Sequence, residues 1–175
     1  MKLKFVIAAA VLVFNLGVAM AQTTSRQLIL AELRSTHDQA GWFAPLNAAI
    51  DGMTAKQASW KPGPDIHSVG ELVHHLLYWN QQQLKSFKGQ PKGEQIKSND
   101  ETFDKFQEAN WDQLCSQLKA VMEGFESWVK TASDTELNAK MEVLTQISTH
   151  NAYHIGQMVT VRKLQGSWVA EKGVK

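Results

Sequence analysis

The chain of 175 residues has 18 basic and 17 acidic side chains, a formal charge of +1, and 43% hydrophobic residues. A composition this close to neutral excludes the strongly basic proteins whose main partner is a nucleic acid or an anionic membrane. Cys115 is the only cysteine, so an internal disulfide is also excluded and a hydrophobic core has to hold the fold.

The first 21 residues have the pattern of a secretory signal peptide. Lys2 and Lys4 precede an apolar run at 5–13, and an Ala-x-Ala cleavage motif at 19–21 stands before Gln22. The apolar run is short for a membrane span. We therefore expect export to the periplasm or the medium, with no membrane attachment after cleavage. An uncleaved anchor is the alternative.

The segment 22–175 has the length of one domain with a core of its own. Two of the 18 basic residues leave with the signal, so against 17 acidic residues the formal charge becomes −1. Its first helical pattern runs from Ser25, the expected N-cap, to about Ile50. Pro45 interrupts this pattern, and an interior proline removes a backbone hydrogen bond. We expect a kink near 41–45 or a new helix beginning there.

A second helix is predicted over about 69–87, after a capping box that begins at Ser68. Within it His75 falls on the apolar face, whereas His74 is rotated from it by about 100°. His75 is therefore the inward histidine of this helix. A short helix is expected further along the chain, at 101–108.

Two more capping boxes, at Asn110 and Ser133, predict helices over about 110–130 and 141–165, the last stopped by Gly166. The chain has four long helical segments and no period-two run or hairpin dipeptide. The sequence therefore predicts an all-α bundle, in which short and medium connections favour antiparallel neighbours.

One face of the last predicted helix is polar at its centre. Seven positions separated by steps of four and three share this face: Val143, Ile147, His150, His154, Gln157, Val161 and Leu164. Buried imidazoles and amides need partners, and two histidines four residues apart can direct their nitrogens to one metal ion. His75 is the candidate third ligand. The alternatives are core histidines satisfied by hydrogen bonds, or a surface pair.

Two motifs resemble the DinB-like superfamily of metal-dependent enzymes. The family's Ser-x-x-Glu-x-x-x-His helix start is similar to residues 68–75, and its His-x-x-x-His-x-Gly-Gln helix is similar to residues 150–157. The segments 60–62 and 133–137 are also similar to the family. The resemblance therefore covers nearly all of the mature chain.

The resemblance implies an up-and-down-type four-helix bundle in which His75, His150 and His154 hold a divalent transition metal, zinc first and nickel or iron next. It also implies a homodimer. Similar proteins include metal-dependent hydrolases and enzymes that use low-molecular-weight thiols, which are chiefly cytosolic. We therefore expect an exported metal-dependent hydrolase of a small molecule. The alternatives are a non-catalytic metal-binding or interaction module, a thiol-dependent transferase, and a plain bundle with structural histidines.

Five other residues bear on this site. Gln157 is the candidate catalytic residue, because its amide could hydrogen-bond a metal-bound water or a ligating imidazole. Asn151 stands where the zincin motif carries its glutamate, so peptidase activity of that type is not expected. Glu71 is assigned to the capping box with Ser68, and the Trp79 ring could form one side of the pocket at the metal site. His37 is either a satisfied core histidine, which is preferred, or a fourth ligand or proton carrier.

Overall fold

A computed structural model describes residues 23–172, and the expected signal peptide lies outside the described residues. Within this range the chain is all-α, as predicted, with no strand. The α-helices in chain order are α1 (Ser25–His37), α2 (Leu46–Ile50), α3 (Ala55–Ser59), α4 (Val69–Phe87), α5 (Glu101–Asp104), α6 (Trp111–Thr131) and α7 (Asp134–Gln165). No helix in this described part has both the length and the apolar character needed to cross a membrane.

The four long helices α1, α4, α6 and α7 form a four-helix bundle. Around the bundle their order is α1, α6, α4, α7, so α6 and α7 lie diagonally although they are consecutive in the chain. From the middle of α4 to its end, Leu77 lines the same pocket as Leu114 of α6, Leu84 lies against Gly124, and Phe87 packs on Trp128. Along these contacts the residue numbers of α4 and of α6 increase in the same direction. The helices α4 and α6 are therefore parallel.

The pair α1 and α7 is parallel as well. Arg26 forms an ion pair with Asp134 at the start of α7, and further along both helices the backbone carbonyl of Glu32 accepts a hydrogen bond from the Ser148 hydroxyl. The implied up-and-down topology is therefore wrong in its helix directions. The helices α1 and α7 run one way, and α4 and α6 run the other.

The connection 88–110 explains this topology because it runs back along α4 instead of crossing the end of the bundle. The Tyr78 hydroxyl donates to the Glu94 carbonyl, and closer to the start of α4 His75 is hydrogen-bonded to Thr102. The chain thereby returns to the end at which α4 begins. The next helix, α6, starts at that end and runs parallel to α4.

Local signals define most of the helix ends. The capping boxes predicted at Ser68 and Ser133 are formed, and Thr54 makes another at the start of α3, each with the hydroxyl accepting the N3 backbone N–H. Gly166 ends α7 as predicted, with a φ of 77°. This left-handed conformation costs glycine little because it has no Cβ.

Other predicted boundaries are wrong. Thr24 rather than Ser25 is the N-cap of α1, and Asn110 makes no side-chain cap to α6. The last helix begins at Asp134 rather than near 141, because the capping box at Ser133 starts it directly. The helix expected at 101–108 ends at Asp104.

The interruption at Pro45 is a new helix start and not a kink. The helix α1 ends at His37, and Pro45 is the N-cap of α2, where its missing N–H removes no helical hydrogen bond. Eight residues therefore separate the two helices. The single pattern predicted over 25–50 is in fact two elements.

The core is built from all four long helices, and its largest fully buried side chains include Phe125, Leu76, Leu118, Leu144 and Met158. Cys115 packs against this core, and burial raises the pKa of its thiol to about 12. It is therefore a packing residue rather than a reactive thiolate. Leu164, predicted to be inward, is 61% exposed.

Candidate metal centre

Three histidine side chains meet between α4 and α7, which are antiparallel neighbours in the bundle. His75 of α4 is buried, and the Nε2 atom of His150 lies 3.1 Å from His75 Nε2. His154, one turn further along α7, has its Nε2 atom 3.1 Å from the same His150 nitrogen. The three ring nitrogens lie within 4.8 Å of one another. The structure thus brings together the three histidines that the sequence predicted.

Thr102 in α5 determines which nitrogen of His75 carries the proton. The Thr102 hydroxyl donates to the carbonyl of Asn99 at 2.6 Å, so toward His75 it acts as an acceptor. His75 Nδ1 lies 2.6 Å from this hydroxyl oxygen and donates to it. The proton of neutral His75 is therefore on Nδ1, and a lone pair on Nε2 points toward the other histidines.

Gln157 plays the same part for His154. Its amide nitrogen donates to the Tyr153 hydroxyl at 3.3 Å, and its carbonyl oxygen lies 2.6 Å from His154 Nδ1. This oxygen accepts the Nδ1 proton, so the lone pair of His154 is also on Nε2. Gln157 thus positions a candidate ligand, which is one of the two contacts proposed for it from the sequence.

Hydrogen bonding alone cannot satisfy this arrangement. His150 Nε2 can donate its one proton to His75 or to His154, and the lone pair of the other histidine then lies 3.1 Å from this nitrogen with no proton directed at it. A cation between the nitrogens removes this conflict. Two nitrogens about 2.0 to 2.1 Å from one zinc ion at a tetrahedral angle are about 3.3 Å apart. The observed spacing is close to this value, so the histidines fit a divalent metal.

The electrostatics of the triad favour the neutral, metal-binding form of all three rings. Burial, reinforced by the neighbouring histidines, lowers the pKa of His75 to about 3. Burial also lowers the pKa of His154 to about 4, although the hydrogen bond that His154 donates to Gln157 raises this pKa. The pKa of His150 is lowered by burial as well. Protons therefore compete weakly with a metal ion at neutral pH.

Phe103 closes one side of the triad. Its ring stacks on His75 with centroids 4.1 Å apart, and on its other face it stacks on His67 at 3.8 Å. The short helix α5 therefore supplies both a hydrogen bond through Thr102 and an apolar wall through Phe103. Neither residue was predicted from the sequence. Capping signals mark where the helices that carry the histidines begin, but the contacts of Thr102 and Phe103 with His75 depend on how the connection 88–110 folds back along α4.

The remaining sequence candidates lie as follows. Glu71 forms the capping box with Ser68 and also binds Lys61, so its carboxylate is occupied. Asn151 is buried and accepts a hydrogen bond from Asn80 through its Oδ1 atom. Within the described residues, the cluster around the three histidines includes no carboxylate.

His37 belongs to a separate cluster. It is buried, and its Nδ1 atom lies 2.8 Å from the Glu126 carboxylate, while Asp38 is the third member of the group. Arg34 and Lys130 also approach Glu126, at 3.3 and 3.9 Å. Two cations already neutralise this carboxylate, so the cluster is better described as an ion-pair network between α1 and α6. His37 is thus hydrogen-bonded in the core, as preferred from the sequence.

Replacing Thr102 by valine tests the hydrogen bond to His75. Valine keeps the shape of threonine but cannot accept the Nδ1 proton, so the ring loses its fixed tautomer and orientation. We expect the affinity for zinc to fall by about 10- to 100-fold, measured by competition with a chromogenic chelator. The Thr102→Ser variant keeps the hydroxyl and should bind within a few-fold of the wild type. Equal affinity in the valine variant would refute this role.

The lowered pKa values also predict how stability depends on pH once a chelator has removed any metal. Unfolded histidines take up protons below their ordinary pKa of 6.5, whereas His75 and His154 resist protonation until about pH 3 and 4. The unfolded state therefore binds more protons in this window, and stability is lost as the pH falls from 6.5. We expect the urea midpoint to drop between pH 7 and 5. In the His75→Gln variant the urea midpoint should fall less steeply with pH. Equal slopes in the variant and the wild type would contradict the lowered pKa of His75.

Comparison with protein families gives a match that spans the site. A family model described as the DinB superfamily matches residues 42–160, which is more than half of the chain and includes all three histidines. No curated protein and no solved structure gives a significant match.

Proposed function

Since the chain belongs to the DinB superfamily, we propose that it binds one divalent transition metal through His75, His150 and His154 and hydrolyses a small molecule there. The observation that supports the metal site best is that His150 Nε2 lies 3.1 Å from the Nε2 atoms of both His75 and His154, whose lone pairs are set by neighbouring hydrogen bonds. Zinc is the first choice of metal, because nitrogen ligands in a three-histidine set suit it. Nickel and iron suit such a set as well.

A metal in this position lowers the pKa of a coordinated water and polarises a carbonyl group. The chain's own residues prepare that site. Thr102 and Gln157 hold the rings of His75 and His154 by their Nδ1 atoms, and Phe103 keeps water away from one face. In hydrolysis the water oxygen would bond to the carbonyl carbon of an ester or amide. The bond to the leaving group would break, and that group would take up the water's proton.

An open groove beside His150 favours catalysis over simple metal storage. His150 is only partly buried, and it lines a groove of about 350 Å³ formed by α4, α7 and the connection at Asn99. A substrate could reach the ligand set from this side. A zincin-type peptidase is not proposed, because Asn151 cannot act as a general base and its oxygen is engaged by Asn80.

We further propose that the protein acts outside the cytoplasm, on the basis of the basic start, the apolar run and the cleavage motif within residues 1–21. Homodimerisation is proposed only from the family resemblance. Mass spectrometry of the protein recovered from a bacterial periplasm should give a mature chain starting at Gln22. A retained N-terminus would favour the uncleaved anchor.

The test of the proposed function is the metal content of purified residues 22–175, measured by elemental analysis before and after loading with zinc, nickel or iron. We expect about one equivalent of metal, followed by metal-dependent turnover in a panel of neutral esters and amides. Binding without turnover would favour the non-catalytic module. Absence of metal after loading would leave a helical bundle with structural histidines.

A further inference from the structure

We propose that the groove beside His150 recognises a small uncharged substrate, which carries a hydrogen-bonding group such as a carboxamide and an apolar group that packs on Trp79. The inference rests on the proposed function, because the groove is treated as the substrate side of the same metal centre. It names the substrate class, which the family match does not.

The groove offers no ionised side chain to a substrate. Apart from His150 its polar lining consists of four primary amides, on Asn80, Gln83, Asn99 and Gln146. An anionic substituent in this groove, apart from the group that a metal would hold, would lose hydration without gaining a cationic side chain, which is unfavourable. A neutral substituent with donors and acceptors loses less hydration free energy, because the amides of the groove can take the place of the water molecules that it hydrogen-bonds in solution.

Asn80 presents a fixed acceptor. Both hydrogens of its amide are used inside the protein, by the Leu76 carbonyl and by the Asn151 side chain, each at 2.9 Å. Its Oδ1 atom has no partner among the described residues and is not sealed from solvent. Because Asn80 is otherwise buried and lines the groove, this oxygen is open to the groove. An acceptor held there favours a ligand N–H or O–H and repels an anion.

Asn99 presents the complementary donor. The indole N–H of Trp79 donates to the Asn99 Oδ1 atom at 3.1 Å. Since an indole nitrogen can only donate, this bond determines the orientation of the amide and leaves the Asn99 NH₂ group free. The same bond orients the Trp79 ring, which forms the apolar wall with Val143 and Ile147. A donor, an acceptor and an aromatic face therefore lie in one groove.

The size of the groove limits the ligand. Its volume of about 350 Å³ is near the lower end of the range for small-molecule sites. A single ring or short alkyl group with one amide fits such a volume. The neutral lining also disfavours low-molecular-weight thiols that carry free carboxylates, which agrees with hydrolysis rather than thiol transfer.

Three hydroxamic acids test this inference on the zinc-loaded protein, because each can anchor to a metal through the same group. Acetohydroxamic acid has no ring, and the 4-carbamoyl and 4-carboxyl derivatives of benzohydroxamic acid differ mainly in charge. By isothermal titration calorimetry we expect the carbamoyl compound to bind at least about tenfold tighter than both others. Equal binding of the carbamoyl and carboxyl compounds would overturn the inference and leave the metal site standing.

Two variants assign the preference to the groove. Trp79→Ala should lower the affinity for the carbamoyl compound about tenfold and leave the affinity for acetohydroxamic acid unchanged. Gln146→Lys places a cation at an exposed position of the groove and should shift the preference toward the carboxyl compound. If neither variant alters the ratio between the compounds, the groove is not the recognition site. If no compound binds and no zinc is retained, the proposed function fails and the inference fails with it.

Discussion

Replacing His75 by alanine is expected to lower the affinity for zinc by more than about a hundredfold. Loss of a residue that only orients a metal ligand lowers the metal affinity by about 10- to 100-fold, so loss of a ligand itself should lower it further. His75 is also the only one of the three that α4 supplies, and without it the two histidines of α7 have no partner across the bundle. The same loss is expected for His154→Ala. Chelator competition measures both affinities.

A matched control is available in His67, which lies near the site without belonging to the triad. Its side chain is 43% exposed and touches His75 only through the ring of Phe103. His67→Ala should therefore change the zinc affinity by less than about tenfold. Circular dichroism should show that all variants remain helical. Full metal binding by a folded His75→Ala protein would disprove the triad.

Replacing Arg162 by alanine is expected to destabilise the protein by about 3 kcal/mol, which is the largest effect on stability that we predict. Arg162 is 3% exposed, and its guanidinium donates to the carbonyls of Ala49, Asp51 and Ser167 at 2.9, 3.2 and 2.8 Å. It thereby joins the end of α2 to the end of α7. Truncation leaves these carbonyls without their charged donor and removes the packing on the ring of Trp168.

Urea denaturation measures this effect, with Lys163→Ala as the neighbouring control. Lys163 is exposed and should change the stability by less than about 0.5 kcal/mol. Arg162→Lys should fall between the two, because one ammonium group cannot reach carbonyls that two guanidinium nitrogens now serve. A loss below about 1 kcal/mol in Arg162→Ala would show that water replaces the guanidinium at this point.

The start of α4 and the register of α7 were predicted well because both depend on local signals. The capping box at Ser68 determines where α4 begins, and a helix that begins there necessarily turns His75 toward the core. The spacing of four between His150 and His154 places both rings on one side of α7 in the same way. Helical periodicity was therefore sufficient to predict which three histidines face one another.

The parallel pairing of helices was not predictable in this way. Short connections make neighbours antiparallel, but the connection 88–110 is long and follows α4 backward through contacts such as Tyr78 to Glu94. Those contacts join residues 16 apart in sequence. No local pattern encodes them.

The helical class, most helix caps and the three histidines follow from local sequence patterns, because each depends on residues within one or two turns. The side chains that support the triad, in contrast, depend on the tertiary structure. Thr102 and Phe103 reach His75 from a connection 27 to 28 residues away, and the groove forms where Trp79 and Asn99 meet α7. Hydrogen bonds and stacking between distant segments depend on the path of the chain in space, which periodicity along one helix does not record.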